Sequence, residues 1–233
     1  MTPMNLTLVI MAKAPRLGSV KTRLAKSLPL QAVNELYRCL LGDTIALAQA
    51  LDGVEVAIMC PESDVEDLRR AAGGAVRVVP QTGNGLAAGL TSVFAHFAGA
   101  GHGRIVAFNS DSPHLPASVL ESAFQALARY DVVIGPTNDG GYYLVGATAS
   151  HPGLFTGDVM GTTSAFEALL ARARALRLSV HLTDPFYDID EAADLDQLAA
   201  ELQQTPGKAP KTAEWLLAWR SAAPQPVQNG EVE

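Results

Sequence analysis

What most restricts the folds open to this chain is a rhythm. Short apolar runs of strand length alternate with longer stretches in which apolar residues recur about every three to four positions. The first run, LTLVIMA at 6–12, is apolar almost throughout, as a strand covered on both faces requires. Further strands are expected at 54–59, 76–79, 104–108, 132–134, 142–145 and 179–182. Helices are expected at 30–51, 65–72, 84–98, 116–129, 162–176 and 191–203. The first of these carries Val33, Leu36, Tyr37, Leu40, Leu41 and Leu47 on one broad face. Pro116 suits the first turn of its helix, where the missing N–H is not needed. Such alternation predicts an α/β fold, a mainly parallel sheet between helices in a three-layer α/β/α sandwich. Two strand runs in succession near 132–146 break the rhythm and leave room for an antiparallel strand.

The 233 residues fit one large α/β domain or two small ones, and 48% apolar with 18% charged residues supplies a sizeable core. Residues 1–204 read as the main domain. Residues 205–220 read as a connector (TPGKAPK at 205–211) and a last short helix at 213–220. Residues 221–233 are poor in apolar side chains and read as a frayed, disordered tail. Trp215 and Trp219, four apart, are expected to pack that last helix onto the body. No apolar run reaches the ~18 to 20 residues of a membrane span. No cleavage site follows the short first strand, so the expectation is a cytoplasmic protein with no membrane partner. Cys39 and Cys60 fall in a helical and a strand pattern with no second ligand nearby, which predicts two buried free thiols.

The net charge of −7 argues against a nucleic-acid partner, but its distribution says more. No Asp or Glu occurs before Glu35, while Lys13, Arg16, Lys21, Arg23 and Lys26 fall within 14 residues. The first 34 residues therefore carry +5 and the rest −12. A cationic loop on an acidic protein points to a small anionic ligand such as a phosphate.

In open α/β sheets ligands sit outside the carboxyl ends of the strands, so candidate site residues stand in the segments just after each strand. After the first comes KAPRLGSVKTRL at 13–24. Lys21 and Arg23 are candidates to offset charge on a leaving group, and Lys13 and Gly18 to border a nucleotide's phosphates. Neither a G-x-G-x-x-G fingerprint nor a Gly-Lys-[Ser/Thr] loop occurs. After the fourth strand comes NSDSPHLP at 109–116, in which Asp111 is either a ligand for Mg²⁺ or Mn²⁺ or the cap of its own turn. Asp139, Gly140 and Gly141 are either a close approach to an acceptor or a hairpin turn. Asp188 and Asp190 are candidate second metal carboxylates, and Asp190 is also a candidate N-cap for the helix that follows. None of the five histidines shows metal-ligand spacing, and His114 alone stands near a candidate site.

Four motifs occur in order: Lys13 with Lys21-Thr22-Arg23-Leu24, Asp111-Ser112-Pro113, Asn138-Asp139-Gly140-Gly141-Tyr142-Tyr143, and Asp188-Ile189-Asp190. Their order resembles the glycosyltransferase-A-like family often labelled as arsenosugar or radical-SAM-associated glycosyltransferases. More distantly, it is similar to the phospholactate and molybdenum-cofactor guanylyltransferases. The resemblance covers roughly residues 6–200 and implies a nucleotidyltransferase-like, nucleotide-binding GT-A domain that uses Mg²⁺ or Mn²⁺. It implies that Lys13, Lys21 and Arg23 contact phosphates, that Asp111 binds metal with Asp188 or Asp190, and that Gly140 and Gly141 border the acceptor. Two departures stand out. Where the near family carries Asp-Leu-Gly-x-Arg, this chain reads QTGNGLAAGL at 81–90, with Gly85 and Gly89 at the charged positions. That segment resembles the part of the guanylyltransferases that borders the base, which makes Gln81, Gly85 and Leu86 nucleotide-binding candidates. Met160 stands where the near family tends to have Trp.

The cationic loop suits nucleotidyl transfer from a nucleoside triphosphate to a small phosphorylated acceptor, where catalysis is positioning plus charge stabilisation. Glycosyl transfer from a nucleotide-diphospho-sugar is the alternative and needs a base near the acceptor, for which Asp139 or Asp190 could serve. Asn109 stands at the first position of the Asp-x-Asp pattern usual in such glycosyltransferases, which tilts the balance to nucleotidyl transfer. A non-catalytic nucleotide-binding module is the third expectation.

Overall fold

The computed structural model describes residues 5–74 and 76–222. Seven strands form one sheet: β1 (Leu6–Met11), β2 (Val54–Cys60), β3 (Arg77–Pro80), β4 (Arg104–Asn109), β5 (Val132–Pro136), β6 (Tyr142–Ala147) and β7 (Val180–Leu182). Their order is β3-β2-β1-β4-β6-β5-β7. β6 runs antiparallel to both β4 and β5, as the paired strand runs near 132–146 suggested, and the remaining described pairings are parallel. The helices are α1 (Leu30–Gln49), α2 (Val65–Ala71), α3 (Gly85–Gly99), α4 (Ala117–Ala126), α5 (Ala165–Ala175), α6 (Ala192–Gln204) and α7 (Pro210–Ala222). The α/β/α sandwich is as the alternation predicts.

Two apolar layers sandwich the sheet because successive residues of a strand face opposite ways. Leu8 and Ile10 of β1 pack with α1, α2 and α4, while Val9 packs with α3 and α5. A third cluster lies outside α1, where Val33, Leu36 and Leu40 meet Leu195 and Leu198 of α6 and Leu216 of α7. The broad apolar face of α1 is thus two faces, one for the sheet and one for the last two helices.

Helix ends depart from the sequence expectation for identifiable reasons. α7 begins at Pro210, inside the expected connector, because the buried Asp43 of α1 caps it from outside: its Oδ2 accepts from the Thr212 N–H and hydroxyl, both at 2.8 Å. Ser221 and Ala222 belong to α7 rather than to a tail, and residues 223–233 lie outside the described residues. Asp190 is not the cap of α6; Glu191 holds that position, and the Asp194 carboxylate accepts from the N–H groups of Asp190 (2.9 Å) and Glu191 (2.6 Å). Both cysteines are free, but only Cys60 is buried; Cys39 is half-buried. Trp215 and Trp219 stack on each other at 5.5 Å, and Trp215 packs against the third cluster. Among the described residues, no helix is long and apolar enough to cross a membrane.

Candidate functional site

β1 neighbours β2 on one side and β4 on the other, so the chain winds away in both directions from the β1–β4 boundary. The helices that follow these two strands, α1 and α4, share one face of the sheet and α3 covers the other, and a cleft opens outside the carboxyl ends between the loops after β1 and β4. Met11 pairs with Asn109 in register, which sets the segment after Ala12 beside that after Asn109. A cleft of about 760 Å³ occupies this place. Lys13, Ser19, Lys21, Thr22 and Arg23 line it from the β1 loop, Ser110 and Asp111 from the β4 loop, and Asp190 from the segment before α6. Met11, Met59, Gln81, Gly85 and Leu86 line its other end.

Lys21 is the centre of the cleft's charge. Its ammonium pairs with Asp111 Oδ2 and, at 2.9 Å, with Asp190 Oδ1, and its side chain is only 4% exposed. Burial alone would favour a neutral amine, but the two carboxylates outweigh that and raise its pKa above the usual lysine value. Arg23 reaches the other oxygen of Asp190 at 3.3 Å. The backbone at Lys21 is left-handed, with φ +48, a conformation that costs a non-glycine residue about 1 kcal/mol and persists where the surroundings over-determine it.

Two side chains that the sequence patterns did not assign to the site hold the loop in place. The Tyr37 hydroxyl accepts from the Lys13 N–H at 3.3 Å, donates to the Lys13 carbonyl at 3.1 Å and lies 3.0 Å from Ser110 Oγ. One phenol on α1 thereby ties the β1 loop to the β4 loop. Asp64, buried at the start of α2, accepts from the Ala14 N–H at 2.9 Å and from Arg16 at 2.6 Å. Arg16 also reaches Asp67, so this cation is a strut of the loop and does not line the cleft.

The other candidates divide. Gly18, with φ +73, turns the loop but does not line the cleft. Gln81 donates to the carbonyls of Gly83 (2.9 Å) and Gly85 (3.3 Å). Its Oε1 lies 2.7 Å from where a Cβ on Gly89 would stand, so Gly89 makes the room in which Gln81 packs. Asp139, Gly140 and Gly141 form the turn between β5 and β6. Asp139 Oδ1 accepts from the Thr137 hydroxyl (2.5 Å) and the Gly141 N–H (3.1 Å), which hold its carboxyl below the usual range. A Cβ on Gly140 would stand 2.1 Å from the Thr163 carbonyl oxygen, so glycine is required for the turn to dock before α5. His114 does not reach the cleft; it is fully buried against the rings of Phe186 (4.8 Å) and Tyr187 (4.5 Å), which stack on each other. Asn109 Nδ2 bonds Ser112 Oγ at 2.9 Å and so braces the Asp111 turn.

Asp188 lies outside the cleft lining yet close to its charges. Burial, then Asp190 and Asp111, push its carboxyl up to about 6 against the pull of Lys21. Whether Asp111, Asp188 and Asp190 suit a divalent cation can be judged on their chemistry. Hard oxygen donors with more negative charge than Lys21 and Arg23 offset are what Mg²⁺ or Mn²⁺ takes. In kind the donors fit. In arrangement they do not yet converge: among the described residues no group of three or more His, Cys, Asp or Glu side chains forms a ready cage, since Lys21 stands between Asp111 and Asp190.

No curated protein matches the chain. Among solved structures, a protein from Desulfovibrio desulfuricans G20 that carries the provisional name nucleotide-diphospho-sugar transferase is 26% identical, with a TM-score of 0.86 over 94% of this chain and 96% of that one. A nucleotidyl transferase from Methanothermobacter is 20% identical (TM-score 0.57; 86% of this chain, 99% of that one). The 4-diphosphocytidyl-2C-methyl-D-erythritol synthase of Anaerococcus prevotii is 12% identical (TM-score 0.56; 86% of this chain, 96% of that one). The last two share the fold. A family profile described as an uncharacterized protein conserved in bacteria (DUF2064) matches residues 44–162, about half the chain, and the protein belongs to that family.

Proposed function

We propose that this protein is a metal-dependent transferase with a nucleotide donor, and that it moves a nucleotidyl group from a nucleoside triphosphate to a small phosphorylated acceptor. The observation that carries the reading is the cleft at the β1–β4 boundary, in which Lys13, Lys21 and Arg23 face Asp111 and Asp190. The fold shared with nucleotidyl transferases supports it. In the reaction an acceptor phosphate oxygen attacks the α-phosphorus, the bond from that phosphorus to the bridging oxygen breaks, and pyrophosphate leaves with the electron pair. Lys13, Lys21 and Arg23 hold the β- and γ-phosphates and offset the charge that develops on them. Gln81, Gly85 and Leu86 border the base. The turn at Asp139, Gly140 and Gly141 borders the acceptor. Asp111, Asp188 and Asp190 would hold Mg²⁺ or Mn²⁺, which when bound supplies Lewis-acid charge at the phosphates.

One observation favours a second reading, glycosyl transfer from a nucleotide-diphospho-sugar. Asp190 lines the cleft and is a candidate base for an acceptor hydroxyl. The provisional name of the Desulfovibrio protein points the same way. A thermal-shift screen of nucleoside triphosphates and nucleotide sugars, with and without Mg²⁺ or Mn²⁺, tests both, because a ligand of the folded state raises the melting temperature. Product analysis then separates them: pyrophosphate marks nucleotidyl transfer, a nucleoside diphosphate glycosyl transfer. Binding without turnover of either donor would leave a non-catalytic nucleotide-binding module. No shift with any nucleotide would sink the reading.

A further inference from the structure

We infer that Lys21 is a resident counter-ion that keeps divalent metal off Asp111 and Asp190 until a nucleotide's phosphates draw its ammonium away, so that metal binding is conditional on nucleotide. The inference rests on the nucleotide reading above.

Two observations carry it. Lys21 is bonded to both carboxylates at once, and its buried ammonium lies between the oxygens that a metal would need. A dication cannot share that space with an ammonium, since like charges at contact distance repel strongly where water is excluded. The same lysine lines the cleft together with Lys13, Ser19, Thr22 and Arg23, so phosphates bound there compete directly for it. A lysine stem moves its compact charge by rotating single bonds, without rebuilding a loop. Arg23 differs: its contact with Asp190 is longer, 3.3 Å, its side chain is 49% exposed, and it makes no pair with Asp111 among the described ion pairs. It is a neighbour of the pair and does not occupy the space between its members.

The test measures Mn²⁺ directly, by electron paramagnetic resonance of the free ion and by water-proton relaxation, on the full chain. Without nucleotide, wild type should bind Mn²⁺ weakly. Lys21→Met should bind one Mn²⁺ at least about tenfold more tightly, a gain that adding Asp111→Asn abolishes. Lys21→Gln serves the same purpose if the methionine variant does not fold. Arg23→Met removes the same unit of charge from the rim and should gain severalfold less affinity than Lys21→Met. Adding a nucleoside triphosphate to wild type should produce the relaxation enhancement of a protein–nucleotide–metal complex, which free metal–nucleotide lacks. The inference is overturned if nucleotide-free wild type binds Mn²⁺ as tightly as the Lys21 variants, or if neither variant gains affinity. It is equally overturned if Arg23→Met gains as much as Lys21→Met, which would reduce the effect to general electrostatics. Failure of every nucleotide to bind removes the functional reading instead, whereas nucleotide binding combined with tight Mn²⁺ binding by nucleotide-free wild type removes only this inference.

Discussion

His114 makes the stability of the fold depend on pH. Its imidazole is fully buried against Phe186 and Tyr187, and neither ring nitrogen has a hydrogen-bond partner among the described residues. Burial pushes its pKa from the ordinary 6.5 down to about 4; the Glu201 charge opposes that shift and the Lys208 charge assists it. The unfolded chain therefore binds more protons than the folded one between those two values, and stability must rise with pH across the window. The contribution is intact above the unfolded pKa, is lost as the pH falls from 6.5 towards 4, and has gone below that. At about pH 5 roughly one and a half units of the gap are expressed, about 2 kcal/mol at about 1.4 kcal/mol per unit. Other groups titrate in the same range, so the quantity to measure is a difference. Urea unfolding of wild type and His114→Phe at about pH 7.5 and about pH 5 should show wild type losing about 2 kcal/mol more than the variant. Phenylalanine keeps an aromatic ring against Phe186 and Tyr187 and carries no proton. Equal losses in the two proteins would refute the reasoning, because they would mean that His114 is partnered or charged in the folded state.

Other outcomes follow from the packing. Gly140→Ala places a Cβ 2.1 Å from a backbone oxygen at a φ of +91; no side-chain rotation relieves that contact, so it should destabilise by about 3 kcal/mol or more in thermal unfolding. Gly89→Ala meets only the Gln81 and Met11 side-chain ends, at 2.7 and 2.9 Å. It should keep the fold, with a melting temperature within a few degrees of wild type, and lower nucleotide affinity by displacing Gln81 into the cleft, as calorimetric titration would read. Asp43→Ala leaves three donors at the start of α7 without their acceptor and should cost about 2 to 3 kcal/mol, with limited proteolysis cutting first near residues 205–212.

Local patterns carried most of the architecture into the sequence. β1 is legible because both its faces are covered, which leaves an apolar run with little polar interruption. Even the reversed β6 left a trace, as two strand runs without room for a helix between them. What was not legible depends on partners far along the chain. Tyr37 falls on the apolar face of α1 and reads as core, and only the arrival of the Lys13 and Ser110 loops beside its hydroxyl makes it part of the site. Arg16 and Lys21 are equivalent in a charge count, but Asp64 and Asp67 take the first and Asp111 and Asp190 the second. Asp190 looked like a helix cap because the cap position moved by one residue, to Glu191, which left its own carboxylate free for Lys21 and Arg23.

The bond between Asp43 and the start of α7 also bears on how the chain is made. α1 leaves the ribosome well before the donors that satisfy its buried carboxylate, which stand 168 and 169 residues later. Until they emerge, Asp43 must stay hydrated, and the outer face of α1 cannot close over it. The sheet can assemble around β1 as each strand arrives, whereas the layer formed by α1, α6 and α7 has to wait. On a growing chain this protein should therefore pass through a stage with its central sheet formed and the Val33, Leu36 and Leu40 face of α1 still open to water and to chaperones.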